Sequence, residues 1–378
     1  MNHRAALRNI FLVLALLVLL SGGLAWAWQS ARAQLARQVA AALGPQASVG
    51  SITMQGLDIV VQELRLPGPS GWPAADQLRA AEIRLRPDWR SLLGILGDSP
   101  VVRISHIGVQ QAYLSVLRQR DGRIALLPDL LGKPAHTEPD APIPRLQIGL
   151  VELTNSQIEF IDASIRRTPH RIQLTHISLT LSDLHLPELN ARSQLQLSAQ
   201  LPGPRHTGSL EVSGAIVLSN RDAQISTQLR SLDLLTVQPY LLQAADTRIT
   251  GGTADLSLQS TVQQQQLKAP GTLTLNKLTL ADGGSGGATF MGVPRRAVLA
   301  FLSDRQGRIE LSFTLTGRLD DPNFSLNESI GRELASSMAH QLGLGLDALA
   351  RGAGTVGQAT GQVIEQVGGS LRGLFGRP

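Results

Sequence analysis

Gly283-Gly284-Ser285-Gly286-Gly287 is the one stretch of this sequence that matches a catalytic pattern outright, the G-x-S-x-G elbow of serine hydrolases. Asp304 and His340 follow it in the chain order that an acid and a base would need. Such an elbow requires a strand-to-helix turn in a parallel sheet. The residues around it read instead as a glycine loop among antiparallel strands. Gly352-x-Gly354-x-x-Gly357 follows a helical pattern rather than a strand, so it fails the dinucleotide test. His170, His176 and His185 lack metal-ligand spacing, and Asp320-Asp321 before Pro322 reads as the end of a strand. The sequence contains no Cys, which removes disulfides and thiolate chemistry. We therefore expect no catalytic residues, no metal and no cofactor.

The elements behind these residues are mostly strands. Leu195, Leu197, Ala199 and Leu201 alternate with Gln and Ser. Leu210, Val212, Gly214, Ile216 and Leu218 follow the same period, as do Ile177, Leu179 and Leu181, and Ile309, Leu311, Phe313 and Leu315. Each strand would have one apolar and one polar face, the pattern of an antiparallel sheet wet on one side. Asp304 to Gly307 should turn the chain into the last of these strands, with Gly317, Asp321 and Pro322 marking its end. "RQRDGRIALLPDL" at 118–130 is a weaker echo of that turn and strand. Helical intervals are few: 88–97, 234–245 and a stretch opened by Pro294.

Ile10 to Trp28 is free of charge for nineteen residues. At about 1.5 Å per residue that is near the minimum for a membrane span. Ile10, Leu14, Leu17 and Leu20 supply its apolar body, while Trp26 and Trp28 suit an interface. Ala25-Trp26-Ala27 also fits a signal-peptidase site. The helical pattern continues past it through Leu35, Val39 and Leu43, which favours an anchor. The expected organisation is a stub (1–9), a transmembrane helix (10–28) and a helical extension (29–44). A β region with a short helix (45–131), a Pro-rich linker (132–145), the main β region (146–326) and a helical Gly-rich tail (327–378) follow. The formal charge is +5, but the arginines are scattered singly, so nucleic acid is not an expected partner.

A long apolar sheet face must be covered by another layer or by a ligand. Aromatics are only 3% of the chain, which favours a trough lined by Leu, Ile and Val over a core filled by rings. Leu195, Leu197, Leu210, Val212, Ile216, Ile309, Leu311, Phe313 and Leu315 are the candidate lining.

"VPRRAVLAFLSDRQGRIELSFTLTGRLDDPNFSL" at 293–326 resembles the C-terminal region of AsmA-like proteins, and an uncharacterised bacterial domain grouped with them. Asp304, Gly307, Ile309, Gly317, Leu319, Asp321, Pro322 and Phe324 carry the likeness. Residues 151–184, with Phe160 and Asp162 at a strand end, are similar to the central motif of that family, and residues 101–126 to its N-terminal repeat. Many members are much longer than this chain. The resemblance implies a bacterial inner-membrane anchor and a periplasmic body of β-strands forming an elongated, apolar-lined groove. It also implies phospholipid movement in support of outer-membrane maintenance, with phospholipids, the inner membrane and other envelope proteins as partners. An assembly factor for outer-membrane proteins, with its sheet closed as a sandwich, is the alternative.

Overall fold

A computed structural model of the chain describes residues 46–88, 90–91, 101–127, 145–165, 167–240, 248–281, 289–290, 293–294, 299 and 302–319. The expected anchor with Ile10, Leu14, Leu17, Leu20, Trp26 and Trp28, the loop around Ser285, Asp321, Pro322 and the tail at 327–378 lie outside them. Among the described residues no helix is long and apolar enough to cross a membrane.

The fold is mainly β. The strands are β1 (Ser51–Gln55), β2 (Asp58–Pro67), β3 (Asp76–Pro87), β4 (Val101–Gln110), β5 (Tyr113–Arg118), β6 (Ile124–Leu126), β7 (Arg145–Asp162) and β8 (His170–Leu186). They continue as β9 (Arg192–Pro202), β10 (Thr207–Val217), β11 (Asp222–Asp233), β12 (Ile249–Gln263), β13 (Gln266–Leu280), β14 (Thr289–Phe290), β15 (Val293–Pro294) and β16 (Arg308–Arg318). Fourteen of them form one sheet in the order β1-β2-β3-β4-β7-β8-β9-β10-β11-β12-β13-β16, with β5 and β6 beside this path. β14 and β15 pair with each other. The interval expected to be helical at 234–245 shows a turn and a short helical stretch at 238–240.

The chain divides into two compact units. The first takes residues 1–200 and 213–220, the second 201–212 and 221–378. In the first unit the expectation of a purely antiparallel sheet is corrected, because β4 and β5 both run parallel to β7. Their registers share one offset: Val101 faces Arg145 and Tyr113 faces Gln157, 44 positions apart in both cases. β4 and β5 are thus two parts of one strand, interrupted at Gln111-Ala112. Parallel neighbours need a long return connection, and the chain between β5 and β7 runs from Gln119 to Pro144. Strands before and after that stretch therefore share one sheet.

The apolar alternation of each strand is in register with its neighbours. Ile59, Leu85, Ile107, Val151, Leu181 and Leu195 form an unbroken cross-strand row over six strands. Val61, Ile83, Val109, Leu153, Leu179 and Leu197 form the next. Cross-strand apolar pairs are the unit from which a sheet is stabilised. Ile52, Val102, Ile104, Leu146 and Ile148 extend this cluster at the strand ends. In the second unit Leu229, Leu256, Leu273 and Leu311 make a comparable row across β11, β12, β13 and β16.

The turn before β16 is built as its sequence suggests. Asp304 N–H donates to Arg308 O (2.8 Å) and Gly307 N–H to Asp304 O (3.0 Å), with Gly307 at φ 73°. The echo has the same backbone: Gln119 N–H to Arg123 O (2.8 Å), Gly122 N–H to Gln119 O (3.0 Å), and Gly122 at φ 83°. A left-handed residue closes both turns, the conformation glycine adopts without a Cβ clash.

Candidate functional site

The apolar rows of the first unit are not covered evenly. Ile59 and Leu85 are 0% exposed and Ile107 is 7%, whereas Val151, Leu181 and Leu195 further along the same row are half-buried. Leu153, Leu179 and Leu197 in the second row are half-buried as well. Apolar surface thus stays open to solvent from β7 to β9, on strands whose other side chains are Gln, Ser and Thr.

A line of backbone irregularities crosses the same strands. Glu63, Gln111, Asn155 and His176 have φ of 55°, 50°, 46° and 49°, an uncommon conformation for residues other than glycine. The register puts Glu63 opposite Ala81, Ala81 opposite Gln111, and Gln111 opposite Asn155. His176 adjoins the Ser156↔Ile177 pair, where the β7–β8 register shifts. The ladder opens along this line, and the freed groups find other partners: Ala112 N–H donates to Ser156 Oγ at 3.2 Å. Beyond it a third apolar row begins, Leu66–Leu78–Leu114–Ile158–Leu174. It stands five residues from the second row in every strand, as from Val61 to Leu66 and from Ile83 to Leu78. Leu66 and Leu78 pack in a separate cluster with Ala47 and Leu127.

A cleft of about 680 Å³ lies on this line, lined among others by Gly50, Glu63, Arg65, Arg79, Gln111, Tyr113 and Asn155. Glu63 reaches it by lying across Gly50, where a Cβ would stand 2.6 Å from Glu63 Oε2 and 2.9 Å from Glu63 Cβ. Arg65 is paired with Asp76 at 2.6 Å. The Arg79 guanidinium stacks 4.9 Å from the centre of the Tyr113 ring.

The Tyr113 hydroxyl enters a partly buried polar network. Tyr113 Oη donates to Glu159 Oε2 at 2.5 Å, and Arg171 Nη1 to Glu159 Oε1 at 2.8 Å. Arg171 Nη2 also reaches Pro73 O at 2.7 Å, tying the 68–75 loop to β8. In that loop Trp72 Nε1 donates to Ser115 Oγ at 2.8 Å, and Ser115 Oγ donates to Asp76 O at 2.7 Å. Burial pushes the Glu159 carboxyl up, but the bonds from Tyr113 and Arg171 outweigh it and hold the group below its ordinary range. Burial, with the neighbouring carboxylate, pushes the Tyr113 phenol well above its ordinary value.

In the second unit Asp255 fills a comparable gap. Ser231 N–H donates to its Oδ1 (2.6 Å) and Asn276 Nδ2 to its Oδ2 (2.7 Å), beside Ser231 at φ 55° and Lys277 at φ 48°. Asp233, 1% exposed, accepts three backbone N–H groups, from Arg205, His206 and Leu235.

The candidate lining residues fall into two sets. Leu195, Leu197, Leu210, Val212 and Ile216 are half-buried. Ile309, Leu311, Phe313 and Leu315 are 2%, 0%, 8% and 1% exposed. Phe313 and Leu315 pack with Ala269, Leu256, Leu258, Leu267 and Leu273, and Gly317 faces Leu267 at the end of β16. Of the serine, acid and base, only Asp304 lies among the described residues. Its carboxylate is engaged in the turn, accepting from Gln306 N–H, Arg308 N–H and Arg308 Nε at 2.9, 2.9 and 2.8 Å. No trio of His, Asp or Glu suited to a metal ion occurs among the described residues. The polar network and the cleft were not singled out by sequence spacing. Their only trace is the odd step between successive apolar runs within β2, β3 and β7.

No family model matches the sequence, and neither a curated protein nor a solved structure matches it.

Proposed function

We propose that this chain is an AsmA-like protein of the bacterial envelope. Residues 10–28 anchor it in the inner membrane, and its β-sheet body in the periplasm binds phospholipid acyl chains in a groove, moving them in support of outer-membrane biogenesis. The observation that carries this reading is the set of cross-strand apolar rows that remain half-buried from β7 to β9. Acyl chains leaving water gain about 0.8 kcal/mol per buried CH₂. Rows of similar side chains at the regular strand spacing keep that gain nearly constant along the sheet, so a chain slides without deep traps while its headgroup stays hydrated. Half-buried aliphatic side chains on strands whose other face is Gln, Ser and Thr are what such a surface needs.

The reading is tested on the full chain purified in a non-phospholipid detergent. Lipid extraction followed by mass spectrometry should find co-purifying phospholipid. The variant Leu179→Glu/Leu197→Glu should lose most of it and fail to restore envelope integrity in a strain lacking the protein. A chain that carries no phospholipid, and a double variant that complements fully, would overturn the reading. The burial of Ile309, Leu311, Phe313 and Leu315 favours a second reading, a non-lipid-binding assembly or scaffold factor for outer-membrane proteins with a closed β-sandwich body. That reading expects no lipid at all in the same extraction.

A further inference from the structure

We infer that the cleft along the left-handed line is a headgroup site for a phospholipid bearing both a phosphate and an amine. This rests on the acyl-chain reading above. Three charged side chains line the cleft: Glu63, Arg65 and Arg79. Arg65 is neutralised by Asp76. Among the described residues, Glu63 has no cationic partner and Arg79 has no carboxylate within ion-pair distance. Nor do they pair with each other, although the register makes them diagonal neighbours: Arg65 faces Arg79 and Leu64 faces Ala80, so Glu63 sits opposite the residue two along from Arg79. Such neighbours stand about 7–8 Å apart at Cα. The cleft therefore holds a separated positive and negative charge, with the neutral side chains of Gln111 and Asn155 beside them.

That arrangement selects its ligand by elimination. A simple anion would meet Arg79 but be repelled by Glu63. A simple cation would meet Glu63 and be repelled by Arg79. A zwitterion satisfies both, with its phosphate on the Arg79 guanidinium and its ammonium on the Glu63 carboxylate. Tyr113 keeps Arg79 in place through its ring, while its hydroxyl is committed to Glu159. Arg65, Arg79 and Tyr113 share one cross-strand row, and their sequence neighbours Leu66, Leu78 and Leu114 form the next row, on the other face of the sheet.

The experiment titrates the full chain in detergent with three probes: a short-chain diacyl phosphoethanolamine, the corresponding phosphoglycerol, and acyl-free glycerophosphoethanolamine. The wild-type chain should prefer the ethanolamine lipid over the glycerol lipid by about tenfold, the size of one charge-assisted contact. Glu63→Gln should abolish that preference without weakening the glycerol lipid. Arg79→Gln should weaken both lipids about tenfold, and Arg79→Lys should retain the selectivity. Equal wild-type affinity for the two headgroups, or unchanged binding in both Gln variants, overturns the headgroup site while leaving acyl binding intact. Binding of the acyl-free probe as tight as the diacyl lipid, with the same variant effects, supports the cleft and overturns the acyl reading. Absence of binding by all three probes overturns both.

Discussion

The Tyr113 hydroxyl and the Glu159 carboxylate meet across 2.5 Å on a diagonal of the parallel β5–β7 pair, in which Tyr113 faces Gln157 and Ser115 faces Glu159. Arg171, on the antiparallel side of β7, completes the site from β8. One carboxylate thus ties three strands and, through Pro73 O, a loop. Glu159→Gln should lower unfolding stability by about 1–3 kcal/mol, since the buried carboxylate loses its charge while the half-exposed Arg171 retains access to water. Tyr113→Phe should cost about 1 kcal/mol. Urea titrations of the two single variants and the double variant should show a loss smaller than the sum.

The carboxyl groups that fold below their ordinary range set the acid limb of stability. Asp58 is held down by hydrogen bonds from Arg86, both at 2.8 Å. Glu159 is held down despite burial by Tyr113 and Arg171, and Asp233 despite burial by three backbone N–H groups. Their folded values lie below the ordinary 3.8 for Asp and 4.5 for Glu. Their stabilisation is therefore complete above those values and is lost as pH falls through the folded ones. Tyr113 has the opposite sign: its folded value is raised above 10.0, so its contribution is complete below pH 10.0 and lost as pH rises beyond it. The denaturant midpoint, followed from about pH 2 to 11, should fall at both ends. Tyr113→Phe should flatten the alkaline fall and also lessen the acid fall, because it removes a bond that holds Glu159 down.

Phe313 covers Gly271. A Cβ at residue 271 would stand 2.9 Å from Phe313 Cζ, 2.8 Å from Leu258 Cδ1 and 2.9 Å from Ser257 O. Gly271→Ala should therefore cost about 1–3 kcal/mol through overpacking. Phe313→Leu relieves the ring contact, so the double variant should lose less than the two single losses together. Equal and additive losses in thermal melts would show that the ring does not report on this contact.

The two matched turns differ at two positions, Asp304 against Gln119 and Gln306 against Asp121. Asp304 caps its own turn, whereas Gln119 at the equivalent position makes no such bonds and Asp121 accepts from Arg123 N–H instead. Gly307→Ala and Gly122→Ala should each cost about 1–2 kcal/mol because both residues are left-handed. Asp304→Ala should lower the denaturant midpoint, while Gln119→Ala should leave it unchanged.

Much of the sheet was legible. Period-2 alternation located β8, β9, β10 and β16, and the Asp304–Gly307 stretch and its weaker echo at 118–130 both hold turns. The parallel placement of β4 and β5 against β7 was not, because strand direction leaves no mark on alternation. The row of left-handed residues was hidden for a different reason. Glu63, Gln111 and Asn155 are ordinary polar residues within strands, and only the register shows that they face one another. Arg79 and Tyr113 likewise meet across strands, 34 positions apart, a proximity that no local pattern encodes.

The parallel junction also bears on the order in which the chain can fold. β7, β8 and β9 join through short connections and can pair as soon as they exist. β4 and β5 must each wait for partners 44 positions later, and closing such loops is slow compared with forming hairpins. Since Gln111 and Asn155 face one another only once that late pairing is complete, the cleft cannot exist in any partly folded chain that lacks it. A ligand that binds there would act as a reporter of finished folding.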